Sequence, residues 1–184
     1  FFFFFSVSST SGIFNGWVVG SVNVYKGQGQ VRVGWYSAEP PEHLASRYNY
    51  DVVWFYFNSK GVPKVGPTRG TASTKDIVKI NGNSYLFDEN GVPVYGLQKV
   101  YTDSEETSYT AYYFGTREQS SMLSGKFNIK EGNEARQYYF TSTGRGYTGV
   151  HDSCLYYMGK LQKADSSSRY EVFTIPTGSG EKNK

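Results

Sequence analysis

The strongest constraint on this chain is a recurring spacing. Trp54-Phe55-Tyr56-Phe57 leads into Asn58-Ser59-Lys60-Gly61, then Val62-Pro63-Lys64-Val65-Gly66. Tyr85-Leu86-Phe87 leads into Asp88-Glu89-Asn90-Gly91, then Val92-Pro93-Val94-Tyr95-Gly96, with the same length and the same Gly-Val-Pro step. Tyr138-Tyr139-Phe140 leads into Thr141-Ser142-Thr143-Gly144, then Arg145-Gly146-Tyr147-Thr148-Gly149, again the same length. Tyr112-Tyr113-Phe114 opens a looser version that ends at Gly125, and Tyr156-Tyr157-Met158-Gly159-Lys160 reads as a truncated fifth copy. The anchors fall at Phe57, Phe87, Phe114 and Phe140, a period of 26 to 30 residues. Each copy reads as an aromatic strand, a glycine turn and a short return strand. Asn81-Gly82 adds a tight-turn dipeptide before the second copy. Pro93 has no N–H to give, so its strand must leave that position unpaired. A hairpin of this size does not stand alone in water. Repetition at this period predicts an array in which each unit is stabilised by its neighbour.

Composition agrees with short strands. Tyr (17) and Phe (13) dominate the large side chains and Gly (21) supplies turns, so an aromatic, β-rich core is expected. The net charge of +3 comes from scattered Lys and Arg. Phosphate binding needs clustered cations, so nucleic acid is not the expected partner. No run is long and apolar enough for a transmembrane segment; the Phe1–Phe5 run is too short. Cys154 is the single cysteine and excludes an internal disulfide. The two histidines, His43 and His151, lack metal-ligand neighbours at a useful spacing, and no metal or cofactor is expected. Nucleophile and zinc-hydrolase motifs are absent. Asp51, Asp76, Asp88 and Asp152 are the carboxylates that a glycosidase would draw on, and nearly all read as turn residues. Asp103, Glu105 and Glu106 lack calcium-loop spacing and read as a solvated loop.

The remaining segments frame the array. Residues 1–11 read as a disordered or tag-like segment. Residues 12–50 read as an N-terminal β-rich segment, with strands at 17–19, 22–25 and 31–35 and a turn at 26–30. Pro40-Pro41 breaks the strand pattern, and residues 42–47 suit one helical turn. The array occupies residues 51–176, with a last strand at 169–176, and residues 177–184 form a linker-like tail.

The stretch Ile80 to Gly96, INGNSYLFDENGVPVYG, resembles the cell-wall-binding repeats of secreted Gram-positive bacterial proteins. These include choline-binding repeats and the glucan-binding repeats of glucosyltransferases. The resemblance covers about residues 50–165. It implies an all-β fold of tandem β-hairpin repeats stacked as an elongated, solenoid-like array. It implies a secreted protein at the cell wall or cell surface, partnered by teichoic acid choline, peptidoglycan or glucan. In that family a ligand box resembles three aromatic walls. The first-Trp wall falls on Trp54, and later copies carry Ser84, Ala111, Gln137 and Leu155 there. The Gly-Trp wall falls on Pro67, Leu97, Lys126 and Val150. Trp35 with Trp54, completed by Tyr56 or Tyr85, is therefore the best-formed expected site. Tyr95, Tyr113, Tyr139 and Tyr147 complete the set of ligand-binding expectations, each equally explained by packing between hairpins.

A flat ring can stack on the C–H face of a sugar or attract a quaternary ammonium. Weak sites repeated along an array add through effective concentration. The chain is accordingly read as a non-catalytic binding module. The competing readings are a spacer or adhesin stalk without ligand, and the anchoring module of a hydrolase or glycosyltransferase whose catalytic domain lies elsewhere. Open hairpin edges would also permit a homodimer.

Overall fold

The computed structural model describes residues 23–25, 28–30, 33–40, 42–49, 51–103, 105–164 and 167–175. The expectations for residues 1–11, 17–19 and 177–184 lie outside them. The chain divides into two compact units, Phe1–Arg69 with Phe87–Pro93, and Gly70–Leu86 with Val94–Lys184. Among the described residues, no helix is long and apolar enough to cross a membrane.

Among its described residues, the first unit holds two strand pairs and one helix. β1 (Asn23–Tyr25) pairs with β2 (Gln28–Gln30), so part of the expected 26–30 turn is strand. β3 (Gly34–Ala38) pairs antiparallel with β4 (Val53–Phe57). β3 begins at Gly34, so Val33, part of the strand expected at 31–35, lies outside it. Between β3 and β4 lies α1 (Glu42–Tyr48), longer than the single turn expected after Pro40-Pro41. Leu44 and Tyr48 are four residues apart and share one helix face. That face packs with Tyr36, Ala38, Val53, Phe55 and Phe57 on the inner face of the β3–β4 sheet. The Tyr48 hydroxyl donates to the buried Asp88 carboxylate at 2.7 Å. Burial, then this bond to a carboxylate, pushes the phenol's pKa well above its ordinary value.

The second unit is a succession of small sheets. β5 (Val78–Ile80) and β6 (Asn83–Tyr85) are joined by Asn81-Gly82 with φ of 49° and 89°, the mirror-image turn that the dipeptide predicted. β7 (Leu97–Tyr101) pairs with β8 (Tyr109–Tyr113). β9 (Gly125–Glu131), β10 (Glu134–Phe140), β11 (Gly149–His151), β12 (Cys154–Tyr157) and β13 (Lys160–Leu161) form one sheet in the order β11-β12-β13-β10-β9. The truncated fifth copy is thus the β12–β13 hairpin, which adds to β10 through Tyr138 opposite Lys160.

Three of the repeats share one hydrogen-bond scheme. Asn58, Asp88 and Thr141 N–H groups donate to Val62, Val92 and Arg145 carbonyls at 2.8–2.9 Å. Lys64, Val94 and Tyr147 N–H groups donate back to Tyr56, Leu86 and Tyr139 carbonyls at 2.7–3.0 Å. The pair between these bonds is Phe57 with Pro63, Phe87 with Pro93, and Phe140 with Gly146. It is the non-hydrogen-bonded pair of an antiparallel ladder, so a proline there sacrifices no ladder bond. The expected return strands are accordingly single bridges. Asn58 and Asp88 close their turns alike, each Oδ1 accepting from the N–H groups two and four residues on, at 2.9–3.0 Å.

The anchors Phe57, Phe87, Phe114 and Phe140 are 0–2 % exposed. Burying each phenylalanine contributes roughly 1.5–3 kcal/mol before the entropy of ordering is charged against it. In the second unit the β7–β8 hairpin shows where the burial comes from. Val100 and Tyr112, on one face, pack with Ala72, Leu86, Val94 and Phe114. Leu97, Ala111 and Tyr113, on the other face, pack with Ile129, Tyr138 and Phe140. The hairpin therefore lies between two others. The expectation of small antiparallel hairpins with aromatic joints is met at this level. The expected last strand at 169–176 is not: residues 167–175 lie outside every sheet, with Tyr170 and Val172 more than 80 % exposed. Alternation alone does not make a strand without an edge to pair with.

Copies are also joined by backbone. The glycine nine residues after an anchor donates to the carbonyl of the residue following the next anchor: Gly66 to Asp88 at 2.8 Å, and Gly96 to Gly115 at 3.0 Å. A Cβ on Gly66 would lie 1.8 Å from the Phe87 carbonyl oxygen, so close approach of two backbones, and not a left-handed φ, excludes a side chain there. Gly66→Ala is expected to destabilise the protein by about 1–3 kcal/mol, as overpacking does. Urea titration checks this; an unchanged midpoint would show that the approach is not required.

Candidate aromatic binding faces

The β3–β4 register decides which aromatics of the first unit are displayed. Gly34 with Phe57, Tyr36 with Phe55 and Ala38 with Val53 form the inner face. Trp35 with Tyr56 and Ser37 with Trp54 form the other face. On it the Trp35 and Tyr56 rings meet at 64° with centroids 5.2 Å apart, forming an angled corner. Phe87 backs Trp35 at 6.0 Å in a near-parallel stack. Trp54 sits diagonally from Trp35 across the pair and is 49 % exposed. Three of the residues named for the best-formed site thus share one sheet face. Tyr85 lies half-buried on β6 in the second unit.

A second aromatic grouping forms on the five-stranded sheet. Tyr139 stacks on His151 at 4.1 Å with the planes 6° apart. Tyr147 leans against both, at 5.4 Å from Tyr139 and 5.8 Å from His151, and its hydroxyl donates to the Val150 carbonyl at 3.2 Å. Tyr156 is buried 5.8 Å from Tyr139. Beside them Lys126 Nζ meets Asp152 Oδ2 at 2.5 Å, and His151 Nε2 lies 3.5 Å from the same oxygen. The Lys126 hydrogen bond and the nearby imidazole hold the Asp152 carboxyl below its ordinary pKa, so it stays ionised at neutral pH. Tyr139 and Tyr147 were expected; His151 was not. Its strand is joined to β12 by Asp152-Ser153, both at positive φ (50° and 61°), a tight turn without the glycine that would have announced it.

The other expected residues divide. Tyr95 is 41 % exposed, and its carbonyl accepts from the Gln98 amide at 2.7 Å. Tyr113 lies in the joint, near-parallel to Phe140 at 6.0 Å and against Phe127 at 5.3 Å. Its ring serves packing. Several carboxylates are occupied by local structure. Asp88 closes its turn, Asp76 accepts from the Ser73 N–H and hydroxyl at 2.8 Å, and Asp103 accepts from Thr107 and Ser108. No group of three or more His, Cys, Asp or Glu that could hold a metal ion occurs among the described residues.

No protein-family model and no curated protein matches the sequence. Among solved structures, the chain is similar to choline binding protein F from Streptococcus pneumoniae, with 19 % identity, a TM-score of 0.24, and coverage of 73 % of this chain and 49 % of that one. It is similar to the multimodular pneumococcal cell wall endolysin from phage Cp-1 complexed with choline, at 23 % identity and TM-score 0.32, covering 67 % and 32 %. It is also similar to alternansucrase in complex with isomaltononaose, at 18 % identity and TM-score 0.31, covering 82 % and 10 %. The chain spans about half the length of the first and a tenth of the last. Choline-binding proteins thus stand among the structures this chain is similar to.

The displayed and the packed rings make different predictions for stability. Tyr113→Ala is expected to cost about 2–4 kcal/mol through the cavity it leaves in the joint. Trp54→Ala is expected to change stability by less than about 0.5 kcal/mol. Thermal unfolding of the two variants checks the division, and equal losses would contradict it.

Proposed function

We propose that this chain is a non-catalytic module that binds cell-wall polymer or other carbohydrate, within a secreted bacterial surface protein. The observation that carries the reading is the Trp35, Tyr56 and Trp54 face. These rings share the sheet face opposite α1, where Trp35 and Tyr56 are half-buried and Trp54 is 49 % exposed. An angled pair of rings can take the C–H face of a sugar on one ring or a quaternary ammonium between two. The Tyr139, Tyr147 and His151 grouping offers a second aromatic surface, with Lys126 and Asp152 as hydrogen-bonding neighbours for hydroxyls. Tyr85 and Tyr95 are further members of the ligand-binding set.

The ligands of this reading are teichoic acid choline, peptidoglycan or glucan at the cell wall. Residues 51–176 act as the binding array, with its hairpins stacked in succession as an elongated solenoid and residues 12–50 preceding it. Hairpin edges offer a route to a homodimer. No cofactor is needed. The repeated weak contacts are supported by effective concentration, so modest affinity at each face suffices. The number of rings committed to packing, Tyr113 and Tyr138 among them, favours one competing reading, a spacer without ligand.

Retention of the chain on a choline-type amine resin, insoluble glucan or purified cell walls tests the proposal. Binding to at least one is expected. Trp54→Ala should weaken it by roughly 2- to 30-fold, the equivalent of one aromatic contact of about 0.5–2 kcal/mol. No retention on any of the three would establish the spacer.

A further inference from the structure

The β7–β8 hairpin ends in a cross-strand pair, Tyr101 opposite Tyr109. Their rings meet at 75° with centroids 6.3 Å apart, forming a two-walled corner. Lys99 precedes Tyr101 by two residues and so shares its sheet face. Its ammonium lies 4.0 Å from the centroid of Tyr109 and 4.6 Å from that of Tyr101, and it donates to the Tyr101 hydroxyl oxygen at 3.1 Å. Directly across from Lys99 stands Ala111, a small residue. Lys99 makes no ion pair among the described residues, and both it and Tyr109 are exposed to solvent. An exposed lysine usually extends into water, and here the ammonium is turned onto two ring faces instead. The negative faces of the rings account for that choice. The loop that follows Tyr101, residues 102–108, carries Asp103, Glu105 and Glu106 and no cation, which makes the local potential negative and favours a cation.

We propose that Tyr101 and Tyr109 form an ammonium-binding site that Lys99 fills from within the chain, so that an external onium ion enters only by displacing it. None of the three residues belongs to the faces assigned above, so this site stands or falls independently of them. The lysine is an intramolecular competitor. It occupies the corner at high effective concentration and repels a second cation at close range. The site thus selects for ligands that carry a quaternary ammonium at high local density over isolated small cations, because only the former can outcompete a tethered group.

The test titrates the full chain and Lys99→Ala with tetramethylammonium chloride at constant ionic strength, following the Tyr101 and Tyr109 ring resonances by NMR. Neopentyl alcohol serves as an uncharged probe of similar shape. Lys99 is exposed, so its removal is not expected to disturb the fold, and the amide spectrum checks this. Lys99→Ala should bind tetramethylammonium roughly five- to tenfold more tightly than the unaltered chain. Neopentyl alcohol should leave the two rings unshifted, and adding Tyr109→Ala to Lys99→Ala should abolish the response. Equal affinity with and without Lys99 would overturn the competitor. The absence of any response in Lys99→Ala, or an equal response to the neutral probe, would overturn the site.

Discussion

The structure depends on burial of an aromatic side chain from one small hairpin against the next. A two-stranded hairpin has one row of ladder bonds and too little apolar area to hold itself together in water. Here the shortage is met by sharing. The β7–β8 hairpin gives one face to Leu86, Val94 and Phe114 and the other to Ile129, Tyr138 and Phe140. It is in effect a thin layer whose two sides are both core. The first unit obtains the same result differently, by laying α1 across the inner face of β3–β4. Backbone bonds from Gly66 and Gly96 to the turn of the following copy fix the spacing at which the rings meet.

Strand parity then separates rings that look alike in sequence. Trp54 and Tyr56 alternate with Val53, Phe55 and Phe57, and only the latter three enter the core. Tyr112 and Tyr113 are neighbours, yet they point into two different cores, because successive residues of a strand face opposite ways. A hairpin with core on both sides has no face left for ligand except at its ends. The Tyr101 and Tyr109 corner lies at such an end, and it holds a lysine. On the outer face of β3–β4, Phe87 backs Trp35, and the displayed ring is that of Trp54.

The repeat was legible because its determinants are local. A phenylalanine, a polar turn residue and a glycine at fixed offsets, with proline or glycine opposite the phenylalanine, specify one turn whatever surrounds it. The shared bonds at Asn58, Asp88 and Thr141 bear this out. Asn81-Gly82 was legible for the same reason. The mirror-image turn at Asp152-Ser153 was not, because it carries no glycine and puts a serine at positive φ. The sequence therefore did not place His151 on a strand, where it stacks on Tyr139. The buried polar contact between Tyr48 and Asp88 joins residues forty positions apart and left no local signal. Of the strand expected at 169–176, the described residues 169–175 are not taken into any sheet, and pairing is the part of strand formation that a single segment does not encode.

The account's central claim is that the hairpins of the second unit stabilise one another across their aromatic joints. Residue-resolved amide hydrogen exchange on Phe140→Ala tests it most directly, with the unaltered chain as reference. Phe140 lies on β10, in the joint that Tyr113 of β8 enters. The account predicts that amides of β7 and β8 lose protection along with those of β9 and β10, because the two hairpins open as one cooperative unit. Loss confined to β9 and β10, with β7 and β8 protected as before, would contradict it.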